Sequence, residues 1–146
     1  MARQQNNGNR WLEAEVTQAI QSYEPLRSLY CPVTVQVQDG RVRLEGVVRT
    51  FIMKHMAGEL ARQVPGVLEV QNDLVSDTEL QLELAQRLAQ DPRTQLLTSD
   101  VTINCFLGTV YLRGRVDSPA RKEAAAKVAA EVKGVRRVVN ELMVEG

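Results

Sequence analysis

Side chains able to do acid–base or covalent chemistry are scarce in this chain. The single histidine, His55, sits in the run Phe51-Ile52-Met53-Lys54-His55-Met56. One imidazole cannot furnish both a nucleophile's base and a His-rich metal site, so neither is provided for. Carboxylates alone could hold Mg or Ca, but no spacing groups them. Cys31 precedes a proline and Cys105 lies in an alternating apolar run. They read as unrelated free thiols, because a secreted disulfide scaffold of this size carries more cysteines at paired spacings. A reactive Cys31–His55 pair would need a specific electropositive setting. Gly40 and Gly108 lie between alternating runs without the Lys-Ser/Thr of a phosphate-binding loop. Asn72 and Asn140 fall on the inward phase of apolar strands. They can be read as ligands for an ion or polar head group, or as amides satisfying nearby backbone. The residue set predicts a protein that is not an enzyme, with no metal and no cofactor.

Charge excludes further classes. Eighteen Lys+Arg balance eighteen Asp+Glu in 146 residues. Residues 1–78 carry 8 basic and 9 acidic side chains, and residues 79–146 carry 10 and 9. Neither half has the basic excess of a nucleic-acid-binding domain. No apolar run approaches the roughly 18 residues of a transmembrane helix. The first ten residues are polar and show no secretory h-region. The chain as written is therefore expected in the cytoplasm, or in the periplasm if residues precede Met1.

The elements that must position these residues come from an internal repeat. Shifted by 68 positions, residues 11–78 align with 79–146 without a gap, and more than a quarter of the pairs are identical. Gly40/Gly108, Val42/Val110, Leu44/Leu112, Gly46/Gly114 and Val48/Val116 form one block; Gly66/Gly134, Val67/Val135, Val70/Val138, Asn72/Asn140 and Leu74/Leu142 form another. Each copy opens with a helix, about 10–23 (Leu12, Val16, Ala19, Ile20, Tyr23) or about 78–90 (Leu80, Leu84, Ala85, Leu88). Ser76 and Glu79 form a capping box for the second start. After a loop at Pro25 or Pro92, Val33, Val35 and Val37, or Val101, Ile103 and Cys105, alternate with polar residues as a strand. Asp39-Gly40, or Leu107-Gly108, turns the chain into a second strand. Gly46 and Gly114 on its inward face are expected to let a helix approach. A second helix buries Ala57, Leu60, Ala61 and Val64, or Ala125, Val128, Ala129 and Val132. Ser118 and Pro119 start the later one, and Gly66 and Gly134 end the two. A last strand closes each copy. The prediction is an α+β fold: two tandem α-β-β-α-β units, 10–76 and 77–146, each a three-stranded mixed sheet with two helices on one face. Residues 1–9 form a disordered tail, and a very short linker joins the units.

The pattern Val-x-Val-x-x-Gly-x-Val-x-Leu-x-Gly-x-Val, a helix, then Gly-Val-x-x-Val-x-Asn-x-Leu resembles the BON domain. It is read at 35–48 with 66–74, and at 103–116 with 134–142, where the second copy opens with Ile103. The resemblance implies a tandem BON protein like the osmotically inducible periplasmic family. It also implies roles in envelope or osmotic stress, phospholipid surfaces and outer-membrane integrity, and in one branch potassium binding. It supplies no catalytic residues. It makes Asn72 and Asn140 candidates for an ion-responsive alternative.

Differences between the copies locate the candidate surface. On the open sheet face, copy one carries Thr34, Gln36, Gln38, Arg41, Arg43, Glu45, Glu69, Gln71 and Asp73. Copy two carries Thr102, Asn104, Phe106, Thr109, Tyr111, Arg113, Val139 and Glu141, with Arg137 and Met143 alongside. Phe106, Leu107, Tyr111 and Val139, with Met143, make an apolar patch beside Arg113, Arg115 and Arg137, and clustered apolar patches mark interfaces. The partners expected there are a phospholipid surface, a protein, or a second copy of the chain. Phe51 and Ile52, against Pro119 and Ala120, are surplus to the core and form a second candidate contact. Trp11 is an amphipathic anchor or a cap over the core edge.

Overall fold

A computed structural model of the chain describes residues 2–97 and 99–145, with side chains from Asn9 onward. It divides into two compact units, Met1–Ser76 and Asp77–Gly146. The first unit runs α1 (Ala2–Gln21), α2 (Glu24–Ser28), β1 (Val33–Gln38), β2 (Arg41–Val48), α3 (Phe51–Arg62) and β3 (Glu69–Ser76). The second runs α4 (Asp77–Gln90), β4 (Val101–Phe106), β5 (Thr109–Val116), α5 (Pro119–Ala130) and β6 (Arg137–Val144). Each sheet has three strands, ordered β1-β2-β3 and β4-β5-β6. The hairpin strands pair antiparallel and the crossover strand pairs parallel to the middle one. Registers coincide across the repeat: Val33 faces Gly46 as Val101 faces Gly114, and Arg41 faces Glu69 as Thr109 faces Arg137. The α+β prediction of two mixed-sheet units thus holds in every strand pairing.

Alternation drives this outcome. Val42, Leu44, Val110 and Leu112 point inward and are buried to the last few square ångströms, while Arg41, Arg43 and Arg113 between them stay exposed. Helix stripes complete each core: Leu12, Val16, Ile20, Ala57 and Ala61 in the first unit, Leu80, Leu84, Leu88, Ala125, Val128 and Ala129 in the second. Thr50 and Ser118 cap α3 and α5 through side-chain oxygens that accept from Met53 N and Arg121 N, both at 3.2 Å.

Several local expectations are corrected. Helix α1 extends back to Ala2, where a disordered tail was expected. Once the amphipathic segment is helical, each added residue gains a backbone bond without a new nucleation cost. The Pro25 loop contains a helical turn, α2, because a proline in the first turn forfeits no donor a helix would use. Gly66 and Gly134 do not directly follow the helices; one further turn intervenes, and each glycine bends the chain at φ +100° toward the last strand. No linker separates β3 from α4: Ser76 ends one and Asp77 begins the other.

Gly46 and Gly114 serve a different neighbour from the one predicted. At φ +130° and +143°, a Cβ there would run into the carbonyl oxygen of Pro32 or Asp100, at the entry to the adjacent strand. Val47 N and Arg115 N donate to those same carbonyls at 3.2 and 3.4 Å. The glycines therefore accommodate an irregular strand start. The close helix approach occurs at Gly58, where an added Cβ would sit 2.7 Å from Asn72 Nδ2.

Candidate interaction face

The open face of the second unit's sheet is built in rows set by register. Phe106–Thr109–Arg137 lie across the hairpin end, then Asn104–Tyr111–Val139, then Thr102–Arg113–Glu141, then Arg115 beside Met143. Phe106 is half exposed, Tyr111 and Val139 are partly exposed, and Met143 stands out at 65%. Tyr111 and Val139 lie side by side, and Phe106 is the diagonal neighbour of Tyr111 one row toward the hairpin turn. Met143 is set apart by the row holding Arg113 and Glu141, which pair at 3.4 Å. Arg115 pairs with Glu145 at 3.3 Å. Two of the three candidate arginines thus carry a carboxylate beside them.

Leu107 does not belong to this surface. It is only 9% exposed and sits at φ +46° ahead of Gly108. Both central residues of the hairpin take positive φ, as a type I′ turn requires. The turn is held by the Asp77 carboxylate, which accepts from Leu107 N at 2.7 Å and Gly108 N at 3.0 Å while itself 2% exposed. In the first unit Asn9 occupies the repeat-equivalent position and accepts from Asp39 N at 3.1 Å. This pair of hairpin anchors is missed by sequence periodicity. The available signal was an Asn/Asp at the same place in both copies, immediately before the amphipathic stripe.

The first unit's open face is a solvated polar surface. Arg43 Nε lies 2.8 Å from Glu45 and 3.0 Å from Asp73, whose carboxylate also accepts from Gln71. Phe51 and Ile52 project at the start of α3 and are 59% and 66% exposed, whereas Met53 turns into the core. Tyr30, which precedes β1 at the same end of that sheet, is 87% exposed. Trp11 is mostly exposed next to buried Leu12, so it does not close the core edge.

The asparagines occupy equivalent sites. Asn72 Nδ2 donates to the Lys54 carbonyl at 2.8 Å and its Oδ1 accepts from Leu74 N at 3.3 Å. Asn140 does the same with Lys122, at 2.8 Å, and Leu142, at 3.2 Å. The nitrogen of each amide ties the last strand to the helix above it, and the oxygen caps an N–H two residues on in the same strand. His55 is exposed, and Cys31 and Cys105 are buried. No group of three or more His, Cys, Asp or Glu among the described residues could hold a metal ion, and no helix there is long and apolar enough to cross a membrane.

The perturbed titrating groups lie elsewhere in the second unit. Arg93 bridges Asp91 at 2.8 Å and Glu131 at 3.1 Å. Its hydrogen bonds hold the Asp91 carboxyl down at about 2 and lower that of Glu131. This ties the loop after α4 to the end of α5. Arg121 braces the same loop by donating to Thr94 O at 2.7 Å.

Comparison with known proteins agrees with this duplicated architecture. The chain is 31% identical over 112 residues to the outer membrane lipoprotein DolP of Haemophilus influenzae, covering 69% of this chain and 56% of that one. It is 28% identical over 116 residues to a 21 kDa hemolysin of Actinobacillus pleuropneumoniae, covering 73% and 59%. An uncharacterized protein in the gshII 5′ region of Anaplasma centrale is 25% identical over 122 residues, covering 77% and 81%. The chain spans a little over half the length of the first two relatives. Among solved structures, the C-terminal domain of CdsD, a structural protein of the Chlamydia trachomatis type III secretion system, matches 91% of this chain and 96% of its own at 13% identity and TM-score 0.39. The BON domain model matches twice, over residues 9–75 and 76–146, and so accounts for nearly all of the sequence: the chain belongs to the BON domain family.

Proposed function

We propose that the chain is a non-enzymatic binding module of the cell envelope that docks on a phospholipid surface through the open sheet face of its second unit. The observation that carries this is the cluster Phe106–Tyr111–Val139, whose first-unit counterparts Gln38, Arg43 and Gln71 are all polar, with Arg137, Arg113 and Arg115 around it. Aromatic rings with a polar edge suit the headgroup boundary, and each basic residue near an anionic surface contributes about 1 kcal/mol. The name of one relative, an outer membrane lipoprotein, points to the same compartment. An ion-responsive role would have to use the second lone pair of each amide oxygen, since the first accepts from Leu74 N or Leu142 N.

Co-sedimentation with vesicles of anionic against zwitterionic phospholipid tests the proposal. Binding to anionic vesicles at low salt, lost in Phe106→Asp and Tyr111→Asp, is the expected result; no binding at low salt overturns it. The second reading is a protein partner on the same face. It is favoured by the Arg113–Glu141 and Arg115–Glu145 pairs, which neutralise the arginines a lipid surface would need. Its signature is binding of an envelope protein, sensitive to the same substitutions, without vesicle binding.

A further inference from the structure

We propose that β6 pairs with β6 of a second copy of this chain, antiparallel about a two-fold axis through Val139, joining two three-stranded sheets into one of six strands. Strand β6 is an edge strand of eight residues, Arg-Val-Val-Asn-Glu-Leu-Met-Val, with no proline. Long apolar edges are ordinarily blunted or covered.

The direction of the backbone groups follows from the parallel ladder. Glu145 N donates to Val116 O on the β5 side at 2.8 Å, and Arg137 N reaches Gly108 O at 3.4 Å, a carbonyl that Arg136 N, just before the strand, also holds at 2.8 Å. Odd-numbered residues of β6 therefore bond inward to β5, and the N–H and C=O groups of Val138, Asn140 and Leu142 face outward. Of these, Leu142 N is already taken by the Asn140 side chain at 3.2 Å. An added antiparallel strand centred on Val139 places Val138 opposite Asn140 of the second copy, and Asn140 opposite its Val138. That exchange uses only the outward donors that Asn140 leaves uncapped. Slipping the pairing by four residues, to centre on Glu141, would need Leu142 N.

Side chains select the same register. On the open face, Arg137 falls opposite Glu141 of the second copy and Glu141 opposite its Arg137, flanking a Val139–Val139 contact. This gives two ion pairs around an apolar centre, the self-complementary arrangement a two-fold interface requires. A two-residue slip sets Val139 against Glu141 and loses both pairs, and the four-residue slip opposes Glu141 to itself. The first unit provides an internal contrast. Its edge strand β3 carries Glu69, Gln71 and Asp73 at the equivalent positions, and the same pairing there would oppose carboxylate to carboxylate. Pairing through β6 would also set the two Tyr111–Val139 rows end to end, as one continuous strip across six strands. This inference stands on edge geometry and holds whichever partner occupies the open face.

Sedimentation equilibrium of the full chain over a concentration series is the test. The wild type is expected to approach twice its 16.3 kDa mass. Arg137→Glu and Glu141→Arg each convert two attractive pairs to repulsive ones, and each should weaken association by about tenfold or more. The double reversal R137E/E141R restores the pairs and should restore the dimer. Circular dichroism establishes that each variant is folded. As a readout of register, Val139→Cys should cross-link to itself under mild oxidation, and Gln71→Cys in the first unit should not. A wild type that stays monomeric, a double reversal that fails to recover, or equal cross-linking at the two cysteines overturns the proposal.

Discussion

Removing the Asp77 carboxylate should release the β4–β5 hairpin and destabilise the second unit far more than the same change in the first. Asp77 is buried and accepts two backbone donors, from Leu107 and Gly108, at 2.7 and 3.0 Å. In Asp77→Ala both N–H groups lose a charged acceptor in a place with little access to water. Hydrogen bonds to charged groups contribute about 1.5–3 kcal/mol each. Taking the lower end for both gives a loss of about 3 kcal/mol, which for a unit of this size lowers its melting temperature by about 12–24 °C. Asn9→Ala removes one neutral, exposed bond at 3.1 Å and should cost only about 0.5–1 kcal/mol. Asp77→Asn retains one acceptor oxygen but turns an NH2 toward the other N–H, so it should fall between parent and alanine variant. Calorimetry gives the size of the effect, and amide exchange gives its place. Part of any loss belongs to the start of α4, where an acidic residue favours the helix N-terminus; the hairpin's part appears as faster exchange at Leu107 and Gly108. Equal shifts for Asp77→Ala and Asn9→Ala, or unchanged exchange at those two amides, would refute the reasoning.

Two further outcomes follow from the geometry. Gly114→Ala forces a Cβ toward the Asp100 carbonyl at φ +143° and should cost at least about 2 kcal/mol in chemical denaturation. Gly58→Ala sets a carbon 2.7 Å from Asn72 Nδ2 and pushes that amide off the Lys54 carbonyl, so it should cost about 0.5–1.5 kcal/mol, the worth of one hydrogen bond; a loss as large as that at Gly114 would contradict this account. The Asp91 carboxyl should titrate at about 2 in an NMR pH series, because Arg93 bonds to its charged form. A carboxyl whose pKa is lowered on folding stabilises fully above its ordinary value of 3.8, and that contribution is lost as pH falls toward 2. Arg93→Ala should return the titration toward 3.8, and an ordinary Asp91 titration in the parent would refute the bridge.

Much of this molecule was legible in one dimension. The 68-residue shift, period-two alternation in the strands and the glycine of each hairpin specify two copies of one fold and, through the hairpin turns, the strand register. Register in turn decided that Phe106, Tyr111 and Val139 share a face with Arg113 and Arg137. Those features are local, or repeat along the chain, so spacing alone encodes them. What the spacing could not supply was the identity of each neighbour across the fold. Leu107 has the composition of a surface anchor, but Asp77, thirty residues earlier in the chain, draws its turn against α4 and buries it. Gly46 and Gly114 were legible as places where something comes close, and only the packed chain showed that it was the carbonyl at the next strand's entry. Asn72 and Asn140 were visible as inward amides, but whether an ion or a helix carbonyl met them depended on where α3 and α5 settled. In each case the deciding contact joins residues that are not neighbours in sequence, and its partner exists only once the hairpin has paired or the helices have packed onto the sheet.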